Sequence, residues 1–153
     1  MNVLVLPIKP LFAYRIFTGM KRFELRKLTC KRDIVGSGDR AVVYVTGGVK
    51  AFMGEFTVGD VIFGDPVYIS KVLSRIKDSG VGELDLKYIN SVKCAVAIEV
   101  RDPLVYKTPI EMKQVLRIFP DYIPPRGIQI LDTYDPLVVL VFNKARERSL
   151  CKN

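Results

Sequence analysis

The chain has 153 residues, 49% of them hydrophobic and 26% charged, which excludes a disordered chain and allows roughly two thirds of the unfolded surface to be buried in one domain. Histidine is absent and the formal charge is +8, so the usual general base and the commonest metal ligand are missing and an anionic partner is expected. Ten basic residues and only three acids lie between Lys9 and Lys50, a net +7, while the other 111 residues net +1.

The first segment, "MNVLVLPIKP", has no basic stretch ahead of its apolar run, and the run breaks at Pro7. Neither a signal peptide nor a spanning helix fits, so a cytoplasmic protein with no membrane partner is expected. Residues 3–8 read as a strand buried on both faces. Pro10 then suits a first helical turn, with Phe12 and Ile16 four apart, and Gly19 closes the helix. From Lys21 the pattern alternates. Phe23 and Leu25 point one way and Arg22, Glu24 and Arg26 the other, which predicts a half-buried strand with the charged side exposed.

Residues 28–39 carry turn chemistry at Gly36, Gly38 and Asp39 and read as a basic loop. "RAVVYVT" is a strong strand. After the Gly47–Gly48 turn, residues 51–64 form another long strand or a pair, with Gly54 and Gly59 marking bulges or close backbone approach. Glu55 shares a side with Met53 and Thr57, and a polar strand face accounts for it. The period changes to helix from Pro66 to Asn90, first over "PVYISKVLSRIKD" and then over "GELDLKYIN". A strand rich in small and β-branched residues, 91–106, suits a central position. Prolines at 109, 120, 124, 125 and 136 divide the remainder into short helical pieces. Residues 136–149 mix strand-favouring valines with a good helix entry at Asp135–Pro136, and helix is preferred. The sum is a single α+β domain over 1–153, about six strands in a small mixed barrel with helices inserted between them. Cys30, Cys94 and Cys151 are far apart and read as isolated thiols, with neither metal nor cofactor expected.

Taken together, "LPIKPLFAYRIFTGMKRFELRK" and "VVYVTGGVKAFMGEF" resemble the ASCH domain family, whose signature G-x-K-x-x-E-x-R falls on Gly19, Lys21, Glu24 and Arg26. The resemblance spans residues 3–63 and is weaker beyond. It implies a PUA-like mixed barrel with a cleft beside the first helix and the basic strand, and it implies nucleic-acid binding. Relatives that deacylate acetylated cytidine pair a lysine at position 21 with a threonine hydroxyl three residues on. This chain has Glu24 there, and a carboxylate cannot replace a hydroxyl nucleophile without a change of mechanism.

The residues themselves suggest how such a site would work. Lys21 at the mouth of the turn can bind phosphate or, desolvated, act as a base. Glu24 and Arg26, two apart on one strand side, can pair and so orient the guanidinium for planar recognition. RNA or a nucleotide-like ligand is therefore the expected partner, with Lys9, Tyr14, Gly19, Lys21, Arg22, Glu24, Arg26, Lys27, Arg40, Tyr44 and Lys50 as candidate binding residues. Cations there would take phosphates, and Tyr14 and Tyr44 would stack on bases. Two alternatives stand beside this reading. One is an amidohydrolase on acetylcytidine or a related modified nucleoside, with Lys21 and a carboxylate such as Glu24 or Glu55 activating water. The other is a protein-interaction module of a transcription or translation complex.

Overall fold

A computed structural model describes residues 2–28 and 35–146. The part of the basic loop at 29–34, with Cys30, and the tail from 147, with Cys151, lie outside the described residues. Six strands form one mixed sheet in the order β2-β5-β4-β3-β1-β6. The strands are β1 (Asn2–Ile8), β2 (Phe23–Leu28), β3 (Arg40–Val45), β4 (Ala51–Gly64), β5 (Cys94–Glu111) and β6 (Gln129–Asp132). The helices are α1 (Pro10–Phe17), α2 (Pro66–Ser74), α3 (Glu83–Ile89), α4 (Met112–Ile118) and α5 (Pro136–Ala145). Among the described strands only β1 and β3 run parallel, with Val3 opposite Arg40 and Ile8 opposite Val45. No helix among the described residues is long and apolar enough to cross a membrane.

The continuous apolar run of β1 is used on both faces. Val3 and Val5 pack with β6, α4 and α5, while Leu4, Leu6 and Ile8 face the interior of a half-barrel closed by Ala13 and Ile16 of α1. A third cluster places Phe23 and Leu25 of β2 against Ile69 and Leu73 of α2 and Ile89 of α3. Residues 94–99 of β5 are flanked by β2 and by β4, the central position its composition suits. Residues 51–64 are one strand, irregular in register between Phe52 and Gly54 and again to Val61.

Three expectations need correction. β6 is a strand in the stretch read as helical pieces; it is four residues long, and its antiparallel pairing with β1 supplies what its local pattern does not. Cys94 is disulfide-bonded rather than an isolated thiol. Glu55 is not on a polar strand face, since it is fully buried. Residues 136–145 are helical, started by Pro136 and by the Asp135 carboxylate, which accepts from the Leu137 N–H at 2.9 Å.

Candidate nucleotide-sized cavity

The signature residues lie where α1 hands the chain to β2. Gly19, at φ +79°, takes the left-handed turn that lets the helix end abruptly. The Lys21 N–H then bonds back to the Arg15 carbonyl at 2.9 Å, fixing the turn. Gly80, at φ +74°, packs so tightly beneath it that a Cβ there would fall 2.0 Å from the Met20 carbonyl oxygen. Its own carbonyl accepts from Arg15 Nη2 at 2.9 Å. The α2–α3 connection thus presses on the backbone that carries Lys21.

This turn brings Lys21 to Glu24. The Lys21 ammonium lies 2.9 Å from Glu24 Oε1 and 2.9 Å from Asp85 Oδ1, all three side chains being almost completely buried. Its charge also faces the Phe12 ring, 4.5 Å from the centroid. Arg26 Nη1 donates to Glu24 Oε2 at 3.3 Å and to the Pro7 carbonyl at 2.8 Å, tying β2 to the end of β1. Arg15 stands 3.9 Å from the other Asp85 oxygen. The result is a chain of alternating charges, Arg15–Asp85–Lys21–Glu24–Arg26. Among the described residues, nothing takes up the Nε and Nη2 hydrogens of Arg26, so its planar fork remains available to a ligand.

Lys21, Glu24, Arg26 and Asp85 floor a cavity of about 360 Å³, lined also by Ile8, Lys9, Phe12, Thr46, Tyr88, Pro125 and Arg126. Four cations, Lys9, Lys21, Arg26 and Arg126, against two carboxylates give it a net positive lining. Its size lies at the lower end of the range for small-molecule sites. Among the described residues no three His, Cys, Asp or Glu side chains gather as metal ligands would.

The alternation of β2 is real, but the side carrying Glu24 and Arg26 faces this cavity rather than solvent. Glu24 is 4% and Arg26 8% exposed. The expected exposed face fails because the half-barrel curls β2 toward the end of β1. Arg22 is exposed and turns away, its guanidinium near Glu99 and the Lys77 carbonyl. Lys9 is at the rim, Lys27 is exposed beside the mouth, and Tyr14 is exposed on α1. Lys50, at φ +50°, occupies the β3–β4 turn.

Two further residues, Tyr44 and Arg40, also lie apart from the cavity. Tyr44 is 5% exposed and its ring packs on Phe52, 5.2 Å between centroids, so it cannot stack on a base; burial also raises the pKa of its hydroxyl. Arg40 begins β3, at the opposite end of the β1–β3 pair from Ile8 and Thr46. There Arg40 Nη2 lies 2.7 Å and Arg146 Nη2 2.5 Å from Glu55 Oε2, and Arg146 Nε is 2.5 Å from Oε1. Arg40 also bonds the Thr57 hydroxyl. Burial works against the ionised carboxylate, yet the hydrogen bonds and charges of Arg146 and Arg40 outweigh it and hold Glu55 below the usual carboxylate range. The carboxylate in turn raises Arg146. Glu55 is therefore a clasp between sheet and α5, remote from Lys21, and not the carboxylate partner that the hydrolase alternative offered.

Asp85 was not among the residues singled out in the sequence. It sits at the third position of α3, where its Oδ2 accepts from the Gly82 N–H at 2.9 Å while Oδ1 faces Lys21. A Gly-x-x-Asp helix start whose acid stands between Leu84 and Leu86 is the signal that could have marked it.

The architecture matches solved structures along nearly its whole length. ASCH from Zymomonas mobilis superposes with a TM-score of 0.71, covering 90% of this chain and 93% of that one at 22% identity. The chain has an ASCH fold. A point variant of the Zymomonas mobilis protein gives a TM-score of 0.73 over 92% of this chain and 95% of that one, at 21% identity. The N-terminal domain of Staphylothermus marinus McrB is similar at a TM-score of 0.51 and 15% identity, covering 82% of this chain and 86% of that one. No family model and no curated protein matches the sequence. In this ASCH fold the signature residues Lys21, Glu24 and Arg26 meet on one cavity floor, with Asp85 added from α3.

Proposed function

We propose that the protein binds RNA by admitting one nucleotide to the cavity, with the signature residues reading its base or phosphate from the floor. The observation that carries this reading is the 360 Å³ cavity floored by a buried Lys21–Glu24–Arg26–Asp85 network. A shallow basic groove would need only exposed cations. A buried floor of mutually held charges is preorganised instead, so a ligand meets fixed donors and acceptors without first ordering them. The free fork of Arg26 suits a carbonyl or phosphate oxygen. Lys9, Lys27 and Arg126 at or beside the mouth would meet phosphates outside. Arg22, Arg40 and Lys50 lie off this path and would add at most long-range attraction.

Binding to a single-stranded RNA should weaken as salt rises, with a logarithmic slope of about −0.7 for each phosphate neutralised. Reversing Lys9 and Arg126 to glutamate should weaken binding and flatten that slope. Absence of RNA binding at low salt, or affinity unchanged in both reversals, contradicts the proposal.

A second reading is favoured by the two carboxylates flanking Lys21. In hydrolysis of an acylated cytidine, Glu24 or Asp85 would take a proton from the attacking water, the ammonium would face the oxyanion formed at the acyl carbon, and on its collapse the C–N bond would break as the carboxyl returns that proton to the leaving cytosine amine, giving cytidine and the carboxylate. Incubation with acetylcytidine tests it directly. Release of acetate by the wild type but not by Asp85→Asn supports it, and no turnover above buffer refutes it.

A further inference from the structure

An exposed aromatic stands at the edge of the cavity without a part in its floor. Tyr88 follows Asp85 by three residues on α3, so the two project from the same side of the helix. Asp85 reaches the floor, whereas Tyr88 lines the cavity and is still 43% exposed, which puts it at the mouth. Lys27, exposed on β2, holds its ammonium 4.7 Å from the centroid of the Tyr88 ring. So large an exposed ring contributes little to the core, and its surroundings are cationic. A ring beside a cavity and a cation on that ring are the two things a nucleic-acid strand needs next to an inserted base: a π surface for the neighbouring base and a charge for the connecting phosphate.

We infer that Tyr88 and Lys27 form a second nucleotide subsite, so that the ligand is an oligonucleotide of at least two residues rather than a free nucleoside. This rests on the nucleotide reading of the cavity and adds a claim to it. The first base enters the cavity, the next stacks on Tyr88, and Lys27 moves from the ring to the intervening phosphate.

Calorimetric titration with the four ribonucleoside 5′-monophosphates and the matching 5′-phosphorylated homodinucleotides separates the two claims. The preferred dinucleotide should bind roughly 5- to 150-fold tighter than its monophosphate, the gain of one stacked base. Tyr88→Phe should keep that ratio, Tyr88→Leu should lower it at least about fivefold, and Lys27→Gln should reduce the salt slope by about 0.7 for the dinucleotide. Because the ratio compares two ligands on one variant, a general loss of folding does not imitate the result. A monophosphate that binds with no gain from the second nucleotide, or a gain undiminished in Tyr88→Leu, overturns the second subsite and leaves the cavity reading standing. If neither ligand binds, the cavity reading and the subsite both fail.

Discussion

Replacing Lys21 by methionine keeps the length and most of the volume of the side chain but removes the charge between two carboxylates. Glu24 and Asp85 are 6% and 2% exposed in their side chains, and each lies 2.9 Å from the ammonium. Removing one partner of a buried ion pair costs about 3–5 kcal/mol because the remaining charge is left uncompensated. Here each carboxylate keeps a fallback, Glu24 with Arg26 at 3.3 Å and Asp85 with the Gly82 N–H and the more distant Arg15. The expected loss is therefore near the lower end, about 3 kcal/mol. With a urea dependence of about 1.5–2 kcal/mol per molar, the unfolding midpoint should fall by about 1.5–2 M. Adding Asp85→Asn to the methionine variant removes the carboxylate left without a close cation, while Glu24 stays paired with Arg26, and should restore part of the loss. A Lys21→Met midpoint within about 0.3 M of wild type, or a double variant no better than the single, would refute the account of a mutually held charged floor.

Gly80→Ala forces a side chain into a left-handed turn against the Met20 carbonyl; it should cost about 1–3 kcal/mol by chemical denaturation and weaken nucleotide binding, because Lys21 moves with Met20. The Glu55 clasp should appear in the acid limb of stability. Its pKa is lowered on folding, so its contribution is complete above the ordinary value of 4.5 and is lost as pH falls through the lower folded value. Glu55→Gln should accordingly cost about 2–3 kcal/mol near neutrality, somewhat under the usual figure for a broken buried pair because both arginines reach solvent, and the gap from wild type should close below pH 4.5. A gap independent of pH would contradict it. Tyr106 is 3% exposed, and among the described residues its hydroxyl makes no hydrogen bond of acceptable geometry, although the Glu55 carboxylate is near enough to add to the burial that raises its pKa. Tyr106→Phe should be neutral or stabilising by about 1 kcal/mol, and a clear fall in Tm would show that the hydroxyl is satisfied after all.

Most of the strand and helix order was legible because local signals agreed with the fold. The double-sided apolar run of β1, Pro10 and Gly19 around α1, and Pro66 and Asp135–Pro136 at the starts of α2 and α5 each carry their own physical instruction. The direction in which β2 faces was not legible. Period-two alternation separates Glu24 and Arg26 from Phe23 and Leu25, but it cannot tell a cavity from bulk water. That distinction comes from Pro7 and Phe12 closing over one side while α2 and α3 cover the other. Charge clustering misled in a related way. Arg40 and Lys21 belong to one basic stretch of sequence, yet the parallel pairing of β1 with β3 sends them to opposite ends of the sheet. Asp85 was invisible because its partner Lys21 is 64 residues earlier and its local role as a helix-start acceptor explains it without a site.

The central claim is that a nucleotide occupies the cavity floored by Lys21, Glu24, Arg26 and Asp85. Titration of ¹⁵N-labelled protein with ribonucleoside 5′-monophosphates, followed by amide chemical shifts, tests it residue by residue. Saturable shifts concentrated at Ile8, Lys21, Glu24, Arg26, Thr46 and Asp85, and lost in Arg26→Gln while its spectrum stays folded, are predicted. Shifts confined to exposed cations such as Arg22 and Lys50, or none that saturate, would contradict it.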